Sequence, residues 1–289
     1  MSDKTLTAAM VEMKQHLRGL ATCLGREHLL DGQNIFYGIL EMLEKAKPRN
    51  GVIKWGYSLG KTELKLDSEC VRWPRNPSEF VCVFDLNIAG RICDVSPLVS
   101  KPLKNKSVPI HPKRKEWENY VFPQGNVCWI IDELKADLQL LAHSGGESKW
   151  EQFWHFDRHI TTVKSKGTNQ PLEIHPLFHF QFGGDRLAEG RGAVNSAWGN
   201  LLELHAPRIS HPPLDLVLLI DFILANFAGS TWHDLVENKK EYHEIVEAAQ
   251  RRFWCPYKCA LADYFQVNHQ QQNNHLAREL WPSLARKVI

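Results

Sequence analysis

A membrane-spanning run is the first thing this sequence lacks. The most apolar segment, Leu214 to Ala228, carries Asp215 and Asp221 and falls short of the roughly 20 residues a spanning helix needs. It is expected to be a buried helix, and no membrane partner is expected. An excess of charge of one sign is also lacking. The 35 Lys+Arg against 33 Asp+Glu leave a formal charge of +2, so no long-range field draws the whole molecule to nucleic acid or an anionic surface. Such a partner would have to be met by a local patch. The first residues, Met1 to Thr5, lead into alternating charged and apolar positions with no apolar leader, so a soluble cytoplasmic protein is expected. A disulfide framework is lacking as well. The seven cysteines, Cys23, Cys70, Cys82, Cys93, Cys128, Cys255 and Cys259, are odd in number and scattered, three of them in expected strands, and read as reduced thiols.

The short motifs that announce familiar chemistry are missing too. Gly183-Gly184 is not followed by the Gly-Lys-Ser/Thr ending of a phosphate-binding loop, and neither a dinucleotide fingerprint nor a Gly-x-Ser-x-Gly elbow occurs. No His-Glu-x-x-His metal helix occurs either. Cys255-Pro256-Tyr257-Lys258-Cys259 has the wrong spacing for a zinc or redox pair and no matching second pair. His159-Ile160-Thr161 resembles half of a paired His-x-Thr phosphoesterase arrangement, without a second copy. No internal repeat is evident.

What is present is a chain of 289 residues, 43% hydrophobic, enough for one large or two ordinary domains with a buried core. Asp3 is a good N-cap, and behind it Leu6, Met10, Met13, Leu17, Leu20 and Leu24 recur at alternating steps of four and three. That places them on one face of a helix expected to pack on the rest of the chain, with a coiled-coil seam as the alternative. A second helix carries Ile35, Phe36, Ile39, Leu40 and Leu43 and ends before Pro48-Arg49-Asn50-Gly51. From Val52 the period changes to two, and Phe80 to Phe84 form a buried run, so antiparallel strands are expected. Asn126 is expected to cap a helix with Val127, Ile130, Leu134, Leu138 and Leu141 on its inner face, ended by Ser144-Gly145-Gly146. After Pro212-Pro213 the sequence reads as helical, with Thr231 and Asp234 as a capping box. Helices, sheet, helix, sheet and helices in that order imply an α+β fold. Its expected division is a helical hairpin plus antiparallel sheet over residues 1–145, then a histidine-rich sheet with carboxy-terminal helices over 146–289, the two forming either separate domains or one continuous body.

Two surfaces are candidates for function. The proline-rich stretch from Pro97 to Gln124 holds Lys101, Lys104, Lys106, Lys113, Arg114 and Lys115 before its first acid, Glu116, with Trp117 and Tyr120 close by. Lys113, Arg114 and Lys115 are its candidate partner-binding residues, since cations beside aromatic rings suit a nucleic-acid backbone and its bases. Most such runs are merely solvated.

The second surface is histidine-rich: His155, His159, His175, His179, His205 and His211 lie within one stretch. If Trp154 to Thr161 is a strand, His155, Asp157, His159 and Thr161 share one face, opposite Trp154, Phe156 and Ile160. If Glu173 to Gly183 is the next, Ile174, Phe178, Phe180 and Phe182 oppose His175, His179 and Gln181. A hairpin would join the two histidine faces, and a short strand from Leu201 to His205 would add Glu203 and His205, followed by Arg208 and His211. Three uses compete for this surface. A divalent metal would be held by His155, Asp157, His159 and His179, because ligands two apart on a strand converge. Metal-free phosphodiester chemistry would use His175 and His179 as acid and base, with Arg186 and Arg208 on the phosphate and Gly183-Gly184 as a close-approach turn. The third use is structural, as the polar face of a sheet whose aromatic face is the core. Asp221, inside the apolar helix, needs a partner, and a histidine or Arg208 is the expected one.

Two functions follow as alternatives. One is a binding or accessory protein acting with a macromolecular partner, a nucleic acid or another protein. The other is a phosphodiester-cleaving hydrolase, either metal-dependent or using histidine acid–base pairs.

Overall fold

The computed structural model describes residues 3–30, 34–71, 77–94, 127–144, 148–158, 178–183 and 209–266. Two helices, α1 (Asp3–Arg26) and α2 (Asn34–Glu44), lead into a sheet. Its strands are β1 (Pro48–Arg49), β2 (Val52–Lys65), β3 (Glu79–Asp94), β4 (Val127–Ser144), β5 (Ser148–Arg158), β6 (Phe178–Phe182) and β7 (Ile209–Ser210). Helices α3 (Leu216–Phe227), α4 (Gly229–Asn238) and α5 (Lys240–Gln266) follow. The fold is α+β, and each strand pairs antiparallel with its sequence neighbours in the order β1 to β7. No helix among the described residues is long and apolar enough to cross a membrane.

The heptad-like spacing of α1 does what the pattern requires. Leu6, Met10, Met13, Leu17, Leu20 and Leu24 are all buried, at 4% exposure or less, and α1 packs on α2, α5 and the sheet. Its close approach to α5 uses Gly19, where a Cβ would meet Ile245 Cδ1 at 2.7 Å. Between α2 and the sheet, Asn50 and Gly51 adopt φ of 53° and 72°. Positive φ at both residues of a two-residue Asn-Gly loop matches the twist of the flanking strands and closes the β1–β2 hairpin.

The expected helix after Asn126 is instead β4, an 18-residue strand. Residues four apart share a face in a strand as well as in a helix, so Leu134 and Leu138 do not discriminate between the two. The deciding pattern is Leu134, Ala136, Leu138, Leu140 and Ala142, all buried, alternating with Lys135, Asp137 and Gln139. Leu141 and, across the register step at Asp132, Ile130 are core under a helical period but fall on the opposite face. β4 pairs with β3 and with β5, the latter from Leu134↔Arg158 to Ser144↔Ser148. The sheet is therefore continuous from one side of residues 145–146 to the other. Where β4 meets β3 the register steps from Ala89↔Glu133 to Gly90↔Ile131. A Cβ at Gly90 would lie 2.3 Å from the Ile130 carbonyl oxygen and 2.8 Å from Trp55 Cζ2, so only glycine fits that irregularity.

One face of the sheet meets all five described helices in a single core. Trp55, Trp129 and Phe253 pack at centroid distances of 5.9 to 6.2 Å, and Phe156 meets Phe222 edge-on at 4.9 Å. Within it lies a polar group. Asp215 caps α3 by accepting from the Leu218 amide at 3.0 Å and is fully buried, 4.0 Å from the buried Arg252. Arg252 also reaches His16 Nδ1 at 2.7 Å and lies over the Trp129 ring. Burial and the Arg252 charge hold the His16 imidazole below its ordinary pKa, so it stays a neutral acceptor.

Of two expectations for the carboxy-terminal helices, one is corrected. Among the described residues Asp221 accepts from Trp232 Nε1 at 2.8 Å and Tyr242 Oη at 3.1 Å, while Arg208, one of its expected partners, lies outside them. Burial raises the carboxyl's pKa against the pull of these two neutral donors. Thr231 does not open a capping box. Helix α4 begins at Gly229 after Ala228, and the Thr231 hydroxyl and amide and the Ser230 hydroxyl all donate to Asp67 beyond the end of β2.

Candidate functional site

Strand alternation divides β4, β5 and β6 into an aromatic side and a polar side. Phe156, Phe178 and Phe180 pack in or against the core, so His155, Asp157, His179 and Gln181 project from the opposite face. The pairing is antiparallel, with His155 opposite Gln181 and Asp157 opposite His179. β4 adds Asp137 opposite His155 and Lys135 opposite Asp157, and β3 adds Asp85 opposite Asp137. Two polar rows therefore run across the strands: Asp85, Asp137, His155 and Gln181 in one, Asn87, Lys135, Asp157, His179 and Ser210 in the other.

The rows are tied together by a chain of alternating carboxylates and imidazoles. His155 Nδ1 lies 2.6 Å from Asp137 Oδ1, and its Nε2 lies 3.2 Å from Asp157 Oδ2. Asp157 Oδ1 is 2.8 Å from His179 Nε2. Lys135 Nζ stands 3.7 Å from the other Asp137 oxygen. His155, Asp137 and Asp157 are mostly covered, and the His179 side chain is almost wholly so.

These contacts fix the charge. Burial works against a protonated His155, but hydrogen bonds to Asp137 and Asp157 and the fields of both carboxylates outweigh it and raise the imidazole to about 9. At neutral pH His155 is an imidazolium donating from both nitrogens. Burial likewise works against an ionised Asp157, and the His155 and His179 contacts outweigh it, holding the carboxyl well below the usual range. The arrangement is a clasp in which each half of the charge supports the other. It leaves His155 no nitrogen lone pair with which to take a proton or ligate a metal. Among the described residues, no group of three or more His, Cys, Asp or Glu side chains is placed to hold a metal ion.

Of the candidate metal ligands, His155, Asp157 and His179 thus share one face, and His159 lies outside the described residues. Of the candidate acid–base group, His179 belongs to this network, while His175, Arg186 and Arg208 lie outside the described residues, as do His205 and the basic triplet Lys113, Arg114 and Lys115. His211, expected to follow the third short strand, lies on the other side of the sheet. Its ring packs edge-on against Phe156, Phe180 and Phe222 at 5.5 to 5.7 Å on the aromatic side. Its Nδ1 lies 2.7 Å from the Pro212 carbonyl oxygen, and burial lowers its pKa. Asp137 and Lys135 were the residues missed. The signal that marks them is the alternation of Lys135, Asp137 and Gln139 with Leu134, Ala136 and Leu138.

Comparison of the chain with protein-family models, with curated proteins and with solved structures found no match.

Proposed function

We propose that this chain is a cytoplasmic binding or accessory protein that acts with a macromolecular partner, and that the Asp137–His155–Asp157–His179 network serves its fold. The observation that carries this reading is the double engagement of His155, whose two ring nitrogens each lie within 3.2 Å of a carboxylate. A general base needs a lone pair and a metal ligand needs a neutral ring, and His155 offers neither. The polar rows also hold three carboxylates, Asp85, Asp137 and Asp157, which oppose the approach of a phosphodiester. A partner of that charge is better met by the cations between Lys101 and Lys115.

The test is binding of a labelled single-stranded oligonucleotide at low salt by the wild-type chain and by a variant with Lys113→Ala, Arg114→Ala and Lys115→Ala together. Loss of three phosphate contacts lowers affinity by roughly tenfold or more and flattens its salt dependence. Equal affinity and equal salt dependence in the two proteins would remove that surface from the proposal.

One observation favours the second reading, a phosphodiester-cleaving hydrolase. An imidazolium that persists to about pH 9 and is partly exposed is a proton donor for a leaving alkoxide. Oligonucleotide cleavage that disappears in His155→Gln while binding persists would favour the hydrolase.

A further inference from the structure

Cys93 and Cys128 stand directly opposite one another in the β3–β4 register. Both project from the face away from the main core, where Cys128 and Ile130 form a small separate apolar cluster with Cys93 packed against it. Both are thiols. Cys128 is fully buried, Cys93 is partly exposed, and the Cys93 sulfur lies 3.8 Å from the Cys128 carbonyl oxygen. From this register we infer that Cys93 and Cys128 are a redox pair that closes into a cross-strand disulfide.

The geometry permits the bond and makes it labile. Directly opposed residues on antiparallel strands have Cα atoms about 4.5 or 5.5 Å apart, and both spacings lie inside the disulfide range of about 4.4–6.8 Å. Their Cβ atoms are normally about 4.5–5.5 Å apart, whereas a disulfide wants about 3.5–4.5 Å. The strands must draw together slightly, and that strain shifts the pair toward ready reduction, as a switch needs and a permanent staple does not. The other described core thiol of the sheet is placed differently: Cys82 faces Leu64 and Leu140 across its neighbours.

With hydrogen peroxide as oxidant, the exposed partner reacts first. The Cys93 thiolate attacks one peroxide oxygen, the O–O bond breaks and hydroxide leaves, giving a Cys93 sulfenic acid. The Cys128 sulfur then attacks Cys93 Sγ, the S–O bond breaks, the S–S bond forms and the hydroxyl departs as water. Two electrons and two protons pass from the thiols to peroxide, which becomes two waters. The bond closes residues 94–127 into a covalent ring containing Lys113, Arg114 and Lys115.

The experiment uses the full chain, treated with hydrogen peroxide, denatured, alkylated and digested with trypsin without reduction. Trypsin does not cut before Pro102, so Cys93 is the sole cysteine of the peptide 92–104 and Cys128 that of 116–135. The expected product is these two peptides joined, two hydrogen atoms lighter than their sum and separated by dithiothreitol. Cys93→Ser should leave Cys128 fully alkylated under the same treatment, but the wild-type map decides even if that variant does not fold. Recovery of Cys93 as an intermolecular disulfide or an over-oxidised acid, with Cys128 still alkylated, overturns the inference. An untouched pair under conditions that oxidise other thiols of the chain overturns it too.

Discussion

Replacing His155 with Gln keeps a hydrogen-bonding side chain between Asp137 and Asp157 but removes its charge, and the consequence for stability should depend on pH in one direction only. In the folded chain the imidazole titrates at about 9, against 6.5 for an ordinary histidine. That difference corresponds to about 3 kcal/mol of preferential stabilisation of the charged form. The side chain is 19% exposed, so solvent screening trims this to about 2–3 kcal/mol. Because the folded pKa is the raised one, the stabilisation is fully present below 6.5 and is lost as pH climbs through about 9. Near pH 6 the wild type should therefore be more stable than His155→Gln by about 2–3 kcal/mol in urea denaturation. At about pH 10 both proteins carry a neutral group there, and the gap should shrink below about 1 kcal/mol. Subtracting the variant removes the titrations the two proteins share. A gap of constant size across this range would show that His155 is not the charged centre of the clasp. A ring-nitrogen NMR titration of His155 with a midpoint near 6.5 would refute the reasoning directly.

Gly90→Ala should destabilise by about 2–4 kcal/mol in the same denaturation assay, because the added methyl meets backbone at Ile130 and the Trp55 ring at once. Gly60→Ala, with nothing within 4 Å of its Cβ position, should stay within about 0.5 kcal/mol; equal effects at the two sites would contradict the close approach of β3 and β4. Arg252→Met should cost about 3–5 kcal/mol by leaving the wholly buried Asp215 without its cation. Adding Asp215→Asn should restore part of that loss, since Asn removes the charge and still caps α3. A double variant no more stable than Arg252→Met would show that packing, not charge, governs the site.

Several elements were legible because one local pattern admits one structure. The steps of three and four from Leu6 to Leu24 fit a helix and no strand, and α1 buries all six residues. On β5 and β6 strict alternation of aromatics with His155, Asp157 and His179 fits a strand, and the hairpin brings their polar faces together. β4 was misread because its leucines recur four apart, a spacing both periods satisfy. That error hid Asp137, and with it the reason His155 is charged.

Asp221 shows the limit more sharply. Its need for a partner is written in the apolar residues around it, but Trp232 and Tyr242 reach it only because α4 and α5 fold back beside α3. For α1, β5 and β6 the sequence by itself determined which faces would be buried, since side-chain period follows from backbone geometry alone. Which polar residues would meet was decided only by the tertiary structure. The register of β3, β4, β5 and β6 sets Asp137 beside His155, Asp157 beside His179 and Cys93 beside Cys128, and register is a relation between strands far apart in the chain that no local pattern encodes.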